Sequence, residues 1–174
     1  VKKLIVAATL VAALSAVATS ASAENYWSLG AGQQTLDFDS IGAGKATITT
    51  VTGRVGWKSE SWYGAEGELY IGTGEDEVAP GVDIGINTSV ALYGVAFFPA
   101  GDKLVLHGRI GFNRLLGKVS SAAGSVETND GDISYGVGGT YKLNERDGIR
   151  ADYTITDVTG IDAAAWQVAY VRKF

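Results

Sequence analysis

From Glu24 onward, apolar and polar residues alternate with a period of two, the signature of strands that bury one face. The first predicted strand runs over about Tyr26 to Gln34. Trp27, Leu29 and Ala31 share one face, and Ser28, Gly30, Gly32 and Gln34 the other. A second covers about Thr47 to Lys58, with Val51, Gly53, Val55 and Trp57 opposite Thr52, Arg54, Gly56 and Lys58. The third, about Trp62 to Gly72, sets Tyr63, Ala65, Leu69 and Ile71 against Gly64, Glu66, Glu68 and Tyr70. A fourth, about Ile86 to Phe98, alternates poorly, so its faces stay unassigned. Four more follow at about Lys103 to Leu116, Asp132 to Leu143, Ile149 to Thr156 and Ala163 to Phe174.

Eight strands of roughly 8 to 13 residues suit tilted transmembrane strands, which need about 9 to 11. The connections alternate in length. Ser59 to Ser61, Pro99 to Asp102 and Asn144 to Gly148 are short; Thr73 to Gly85 and Gly117 to Gly131 are long. Membrane barrels have short periplasmic turns and longer outer loops. The fold expected is an all-β, eight-stranded antiparallel up-and-down transmembrane barrel.

The direction of the faces separates a membrane barrel from a barrel or sandwich with an apolar core. One face carries Arg54, Glu66, Glu68, His107, Arg109, Lys142, Arg150 and Asp152, at mid-strand and of both signs. A turn centred on Glu60 puts Arg54 opposite Glu66, where cross-strand Cβ atoms lie about 4.5 to 5.5 Å apart. The same reasoning brings Lys142 diagonally near Asp152. The other face is almost free of charge. Trp27, Trp57, Tyr63, Tyr141, Tyr170 and Phe174 gather on it near the short turns, as an aromatic girdle would. Phe112, Tyr135 and Trp166 fall nearer the opposite rim.

The first 23 residues read as a cleavable signal peptide rather than as part of the fold. Lys2 and Lys3 precede the apolar run Leu4 to Ala18, and Ala21-Ser22-Ala23 offers small residues for cleavage. The run is short for a transmembrane helix, which needs about 20 apolar residues. Two domains of the precursor result: 1–23 signal peptide and 24–174 barrel. Loss of the two lysines takes the formal charge from −5 to −7, which disfavours a nucleic-acid partner. The chain has no cysteine, so disulfides and thiolate metal sites are excluded.

Candidate chemistry is thin. Gly42-Ala43-Gly44-Lys45 lacks the first glycine of a phosphate loop, and Ala46 stands where Ser or Thr is needed. Gly136-Val137-Gly138-Gly139 has no helix after it, so it is no dinucleotide fingerprint; its glycines let the wall bend and aromatics pack. His107 is the single histidine. It has no motif-like serine beside it, and it shares a face with Arg109. Glu66 and Glu68 resemble a paired-carboxylate site, but salt bridging in a narrow lumen accounts for them better. Acidic residues mark the long connections: Asp37, Asp39, Glu75, Asp76, Glu77, Asp83, Glu127 and Asp130. Their spacing matches no defined calcium loop, and a solvated rim is the simpler reading. No catalytic residue, metal ligand or cofactor is assigned.

The opening Tyr26-Trp27-Ser28-Leu29-Gly30-Ala31-Gly32, the segment Tyr63-Gly64-Ala65-Glu66-Gly67-Glu68 and the closing Phe174 resemble the small outer-membrane β-barrel family. That family includes the outer-membrane protein A membrane domain, OmpX, Ail and the opacity proteins. Trp166, Val168, Tyr170 and Phe174 are similar to the C-terminal signal read by the barrel-assembly machinery; Arg172 stands where that signal is usually apolar. The resemblance implies a monomer in the bacterial outer membrane. It also implies contact with outer-membrane lipid and lipopolysaccharide, a possible surface ligand, and a non-enzymatic role in envelope integrity or adhesion. A narrow or gated pore is the alternative, and a lipid-A-modifying enzyme a more distant one.

Overall fold

Strong β-formers with free alternation leave the backbone one economical way to satisfy its amides, a ladder on both sides of every strand. The computed structural model describes residues 23–37, 45–73, 75–79, 82–121, 124–158 and 161–174. Within them lie nine strand segments: β1 (Glu24–Asp37), β2 (Lys45–Lys58), β3 (Tyr63–Gly72), β4 (Glu75–Ala79), β5 (Val82–Pro99), β6 (Leu104–Ser121), β7 (Gly124–Lys142), β8 (Asp147–Val158) and β9 (Ile161–Lys173). All pairings are antiparallel. β1 pairs with both β2 and β9, and β3 pairs with β5, which closes the ring. β4 continues β3 along the same neighbour: Tyr70 faces Ser89 of β5, and Glu75 faces Gly85. The nine segments therefore make eight staves of one closed barrel. Residues 1–22, which hold all but the last residue of the expected signal peptide 1–23, lie outside the described residues.

Two expected connections are largely ladder. Thr73 to Gly85 contains β4 and the start of β5, and Gly117 to Gly131 contains the end of β6 and the start of β7. The sequence of these arms does not alternate strictly, so it leaves no period-two trace although the backbones pair. β5 and β6 reach 18 residues and β7 reaches 19. At about 3.3 Å per residue such strands are roughly 60 Å long, far beyond a membrane span. β8 and β9 are shorter, at 12 and 13 residues.

Burial is inverted relative to a protein with an apolar interior. Val137 is 65% exposed and Ile110 63%, on the outer wall, while Arg150 is 1% exposed and Glu66 fully buried. The faces of β5 are now clear. Ser89, Ala91, Tyr93, Val95 and Phe97 point inward, and Leu92 and Phe98 outward. Both of its faces are largely apolar because its inner one joins a plug at the short-turn end. Tyr26, Ala91, Tyr93, Val95, Phe97 and Val171 form that plug, with Val105 against it.

Two lumen rings lie flat on glycine. The Tyr26 ring occupies the place a side chain at Gly56 would take, and the His107 ring does the same over Gly138. Each aromatic residue is the direct ladder partner of its glycine. Gly56→Val is expected to drive the Tyr26 ring off and lower stability by about 1 to 3 kcal/mol, the usual range for overpacking. Denaturant unfolding of the detergent-folded protein measures this; an unshifted midpoint would show that the ring has room to move.

Candidate functional site

The lumen concentrates the polar chemistry of the chain. The ladder of β2 with β3 places Arg54 opposite Glu68 and Gly56 opposite Glu66. β8 contributes Arg150 and Asp152, and β6 contributes His107 and Arg109. All seven side chains point inward and are buried. Glu68 Oε2 accepts from Arg54 Nε at 2.8 Å, from a second Arg54 nitrogen, from Arg109 at 2.8 Å and from Gln167 Nε2 at 3.1 Å. Glu66 accepts from Arg150, with one contact at 3.1 Å, and from the Tyr26 hydroxyl. Asp152 accepts from Arg54 at 3.2 Å and from Arg150 Nε at 2.9 Å, and it lies 2.6 Å from His107 Nε2. Arg109 also donates to Thr154, and its guanidinium sits 4.4 Å from the centroid of the Tyr93 ring.

Three arginines thus meet three carboxylates. Coulomb attraction in a dry lumen is strong, and so is the cost of stripping each ion of water, so each charge is set against opposite charges, although Glu68 Oε1 and Arg109 Nε make no hydrogen bond among the described residues. A neutral polar layer lies toward the long-hairpin end, where Ser134 and Thr156 are 2.8 Å apart and Ser89 donates to Asn113.

Outside the wall, aromatics collect near the short turns. Trp27 packs edge-on to Tyr170 at 5.7 Å between centroids, and Trp57 to Tyr63 at 6.0 Å. Tyr141 and Phe174 are exposed at the same end. The turn before β8 is tied by Asn144, whose Oδ1 accepts from the backbone N–H groups of Arg146 and Asp147, both at 2.8 Å. Asp147 accepts from the Tyr170 hydroxyl and from Asn144 Nδ2 at 2.9 Å. These hydrogen bonds, the Tyr170 one foremost, hold the Asp147 carboxyl below its ordinary range, and Arg172 adds to the effect.

With this geometry in place, the family is decided by sequence: residues 4–174 match the model of the outer membrane protein beta-barrel domain. The chain belongs to that family. Among solved structures, this outer-membrane barrel superposes on Ail, the attachment invasion locus protein of Yersinia pestis, with a TM-score of 0.70 and 17% identity; the match covers 88% of this chain and 99% of Ail. It superposes on neisserial surface protein A with a TM-score of 0.66 and 15% identity, over 88% and 99%. The N-terminal β-barrel domain of Pseudomonas aeruginosa OprF gives 0.59 and 12%, over 86% and 97%. At these identities the likeness is one of fold. No curated protein sequence matches the chain.

Arg54, Glu66, Glu68, His107, Arg109, Arg150 and Asp152, grouped on one face by the sequence pattern, come together in this outer-membrane barrel. Two details of the expected pairing need correction. Lys58 pairs with Gly64 rather than Trp62, so the direct partner of Arg54 is Glu68; Glu66 lies 3.6 Å from Arg54 Nε as a diagonal neighbour. Lys142 is not in the network. It pairs with Gly148, and Asp152 pairs with Gly138, so about four residues, roughly 13 Å of strand, separate them. The Lys142 ammonium instead lies 3.4 Å from the Asp102 carbonyl at the short-turn rim. Sequence reasoning missed Tyr26 and Gln167 as lumen residues. Tyr26 shares its parity with Ser28, and Gln167 points opposite to Trp166 and Val168, so the alternation held that information. Of the acidic connections, Asp37 lies 2.7 Å from Lys45; Asp39 and the side chains of Glu75, Asp76, Glu77, Asp83, Glu127 and Asp130 fall outside the described residues.

Arg54→Ala leaves Glu68 and Asp152 short of a buried partner and is expected to cost about 3 to 5 kcal/mol. Equilibrium unfolding in detergent reads this, and a wild-type midpoint would mean the lumen is wet enough to solvate both acids. Asp147 sets a second expectation. A carboxyl whose native value is depressed adds stability above the unfolded carboxyl's titration near about pH 4. That contribution is lost as the pH falls through the lowered native value. Asp147→Asn is therefore expected to flatten the acid limb of the melting-temperature profile, while an unaltered limb would place the acid sensitivity elsewhere.

Proposed function

We propose that this chain is a non-enzymatic surface barrel: a closed body in the bacterial outer membrane that anchors long hairpins for contact outside the cell. The filled lumen carries this reading. The arginine and carboxylate side chains of the network are 0 to 2% exposed, and the buried apolar cluster that includes Val95, Phe97 and Val171 packs beside them toward the short-turn end. Eight staves leave an interior just wide enough for side chains to fill, and here they fill it.

In this reading the segment 1–23 directs export and is removed. The short turns face the periplasm, and Trp27, Trp57, Tyr63, Tyr141, Tyr170 and Phe174 lie at headgroup level. The last strand offers its aromatic face to the assembly machinery, and the protein works as a monomer among outer-membrane lipid and lipopolysaccharide. The hairpins β4–β5 and β6–β7 rise beyond the span and supply the contact surface. One relative, Ail, has been solved with the heparin analogue sucrose octasulfate. The hairpins of this chain carry Glu75, Asp76, Glu77, Asp83, Glu127 and Asp130, so a cationic or neutral surface ligand suits them better than a polyanion. His107 is fixed to Asp152 inside the wall, away from the lipid that a lipid-A-modifying enzyme would act on.

Planar-bilayer recording tests the closed body against the pore alternative. The folded protein is expected to give no conductance steps above the lipid background, and reproducible steps would replace the anchor reading with a channel.

A further inference from the structure

Arg172 is the residue that departs from an otherwise aromatic and apolar closing strand, and the structure gives it a setting. Its strand parity turns it to the outer wall with Tyr170. Its ladder partners are Trp27 on β1 and Asp147 on β8. One terminal nitrogen lies 3.5 Å from the Asp147 carboxylate and 3.5 Å from the Tyr170 hydroxyl. Both contacts are long for hydrogen bonds. Asp147 is already satisfied on one oxygen by Tyr170 and on the other by Asn144. The guanidinium is therefore leaned against a carboxylate that does not need it. Its Nε and its other terminal nitrogen have no partner among the described residues, and the side chain is 48% exposed.

An arginine on the outer wall of a barrel, beside the edge-packed Trp27 and Tyr170 rings, sits at the depth where headgroups lie. Its free edge is a planar pair of donors, which matches two oxygens of a phosphodiester better than it matches water or a hydrocarbon chain. We propose that Arg172, set beside Asp147 and Tyr170 and cross-strand to Trp27, binds the phosphate of a phospholipid of the periplasmic leaflet, an inference that rests on the proposed orientation of the short turns toward the periplasm. The rings beside it offer a surface for the glycerol and first methylenes of the same lipid. Asp147 and Tyr170 lie beside one terminal nitrogen of Arg172 without engaging the rest of its guanidinium. Trp27 and Arg172 are cross-strand partners, so the apolar and ionic parts of the site share one rung of the sheet.

The test uses the full barrel folded in maltoside detergent, which carries no phosphate. Native mass spectrometry then reads retention of added phosphatidylglycerol, with diacylglycerol as the phosphate-free control. Arg172→Gln is expected to weaken phosphatidylglycerol retention about two- to fivefold, the range for a half-exposed ion pair, and to leave diacylglycerol retention unchanged. Equal phosphatidylglycerol retention by wild type and a variant of normal heat-shifted gel mobility overturns the site. So does a parallel loss of both lipids, which would mark a general change of the wall. Arg172→Lys guards against a folding failure. It keeps the charge without the planar fork and is expected to retain less phosphatidylglycerol than wild type; retention equal to wild type overturns recognition through paired donors.

Discussion

Everything in this barrel depends on neutralising ions that have been taken out of water. Three guanidinium groups and three carboxylates occupy one level of a closed lumen, and none has bulk solvent to fall back on. The alternative to mutual pairing is an uncompensated buried charge, which costs several kcal/mol. That requirement explains the crowding at Glu68, where one oxygen receives donors from β2, β6 and β9. It also explains why a neutral hydroxyl, Tyr26, is recruited to Glu66. The body is therefore locked by polar contacts inside and greased by apolar side chains outside.

The two ends of the molecule are built on different principles. At the short-turn end Tyr26, Val95, Phe97 and Val171 pack together inside the lumen, and the turn before β8 is tied by Asn144. At the other end β5, β6 and β7 run on in pairs well past the length a membrane requires. There the backbones stay paired in antiparallel ladders. The ion network and the apolar cluster thus lie away from the long hairpins, in the part of the barrel that the short turns close.

Much of this was legible in the sequence because a wall between hydrocarbon and a polar lumen imposes strict alternation. Val55 beside Arg54, or Tyr135 beside Ser134, declares its face by chemistry alone. Legibility failed where the two sides of the wall stop differing. β5 meets lipid on one face and the apolar plug on the other, so Tyr93 and Leu92 look alike although they point in opposite directions. The arms around Glu75 and Glu127 lack strict alternation in sequence and read as loops, although their backbones pair. Register failed for another reason. Alternation fixes which face a residue takes, but a shift of two residues preserves every face, so the link after Lys58 could be two residues longer, with Lys58 opposite Gly64, at no cost to the pattern. That ambiguity moved the partner of Arg54 from Glu66 to Glu68, and it detached Lys142 from Asp152.

The lumen bonds also join residues remote in the chain: Arg54 to Asp152 spans 98 positions and Gln167 to Glu68 spans 99. No early hairpin holds a complete set of partners. A half-built sheet entering hydrocarbon would present unpaired arginines to it, a state of high energy. Insertion and closure of the ring are therefore coupled in time. The polar face has to stay in contact with water until β1 meets β9, and the ion network that stabilises the finished wall is also what forbids it from assembling one strand at a time within the lipid.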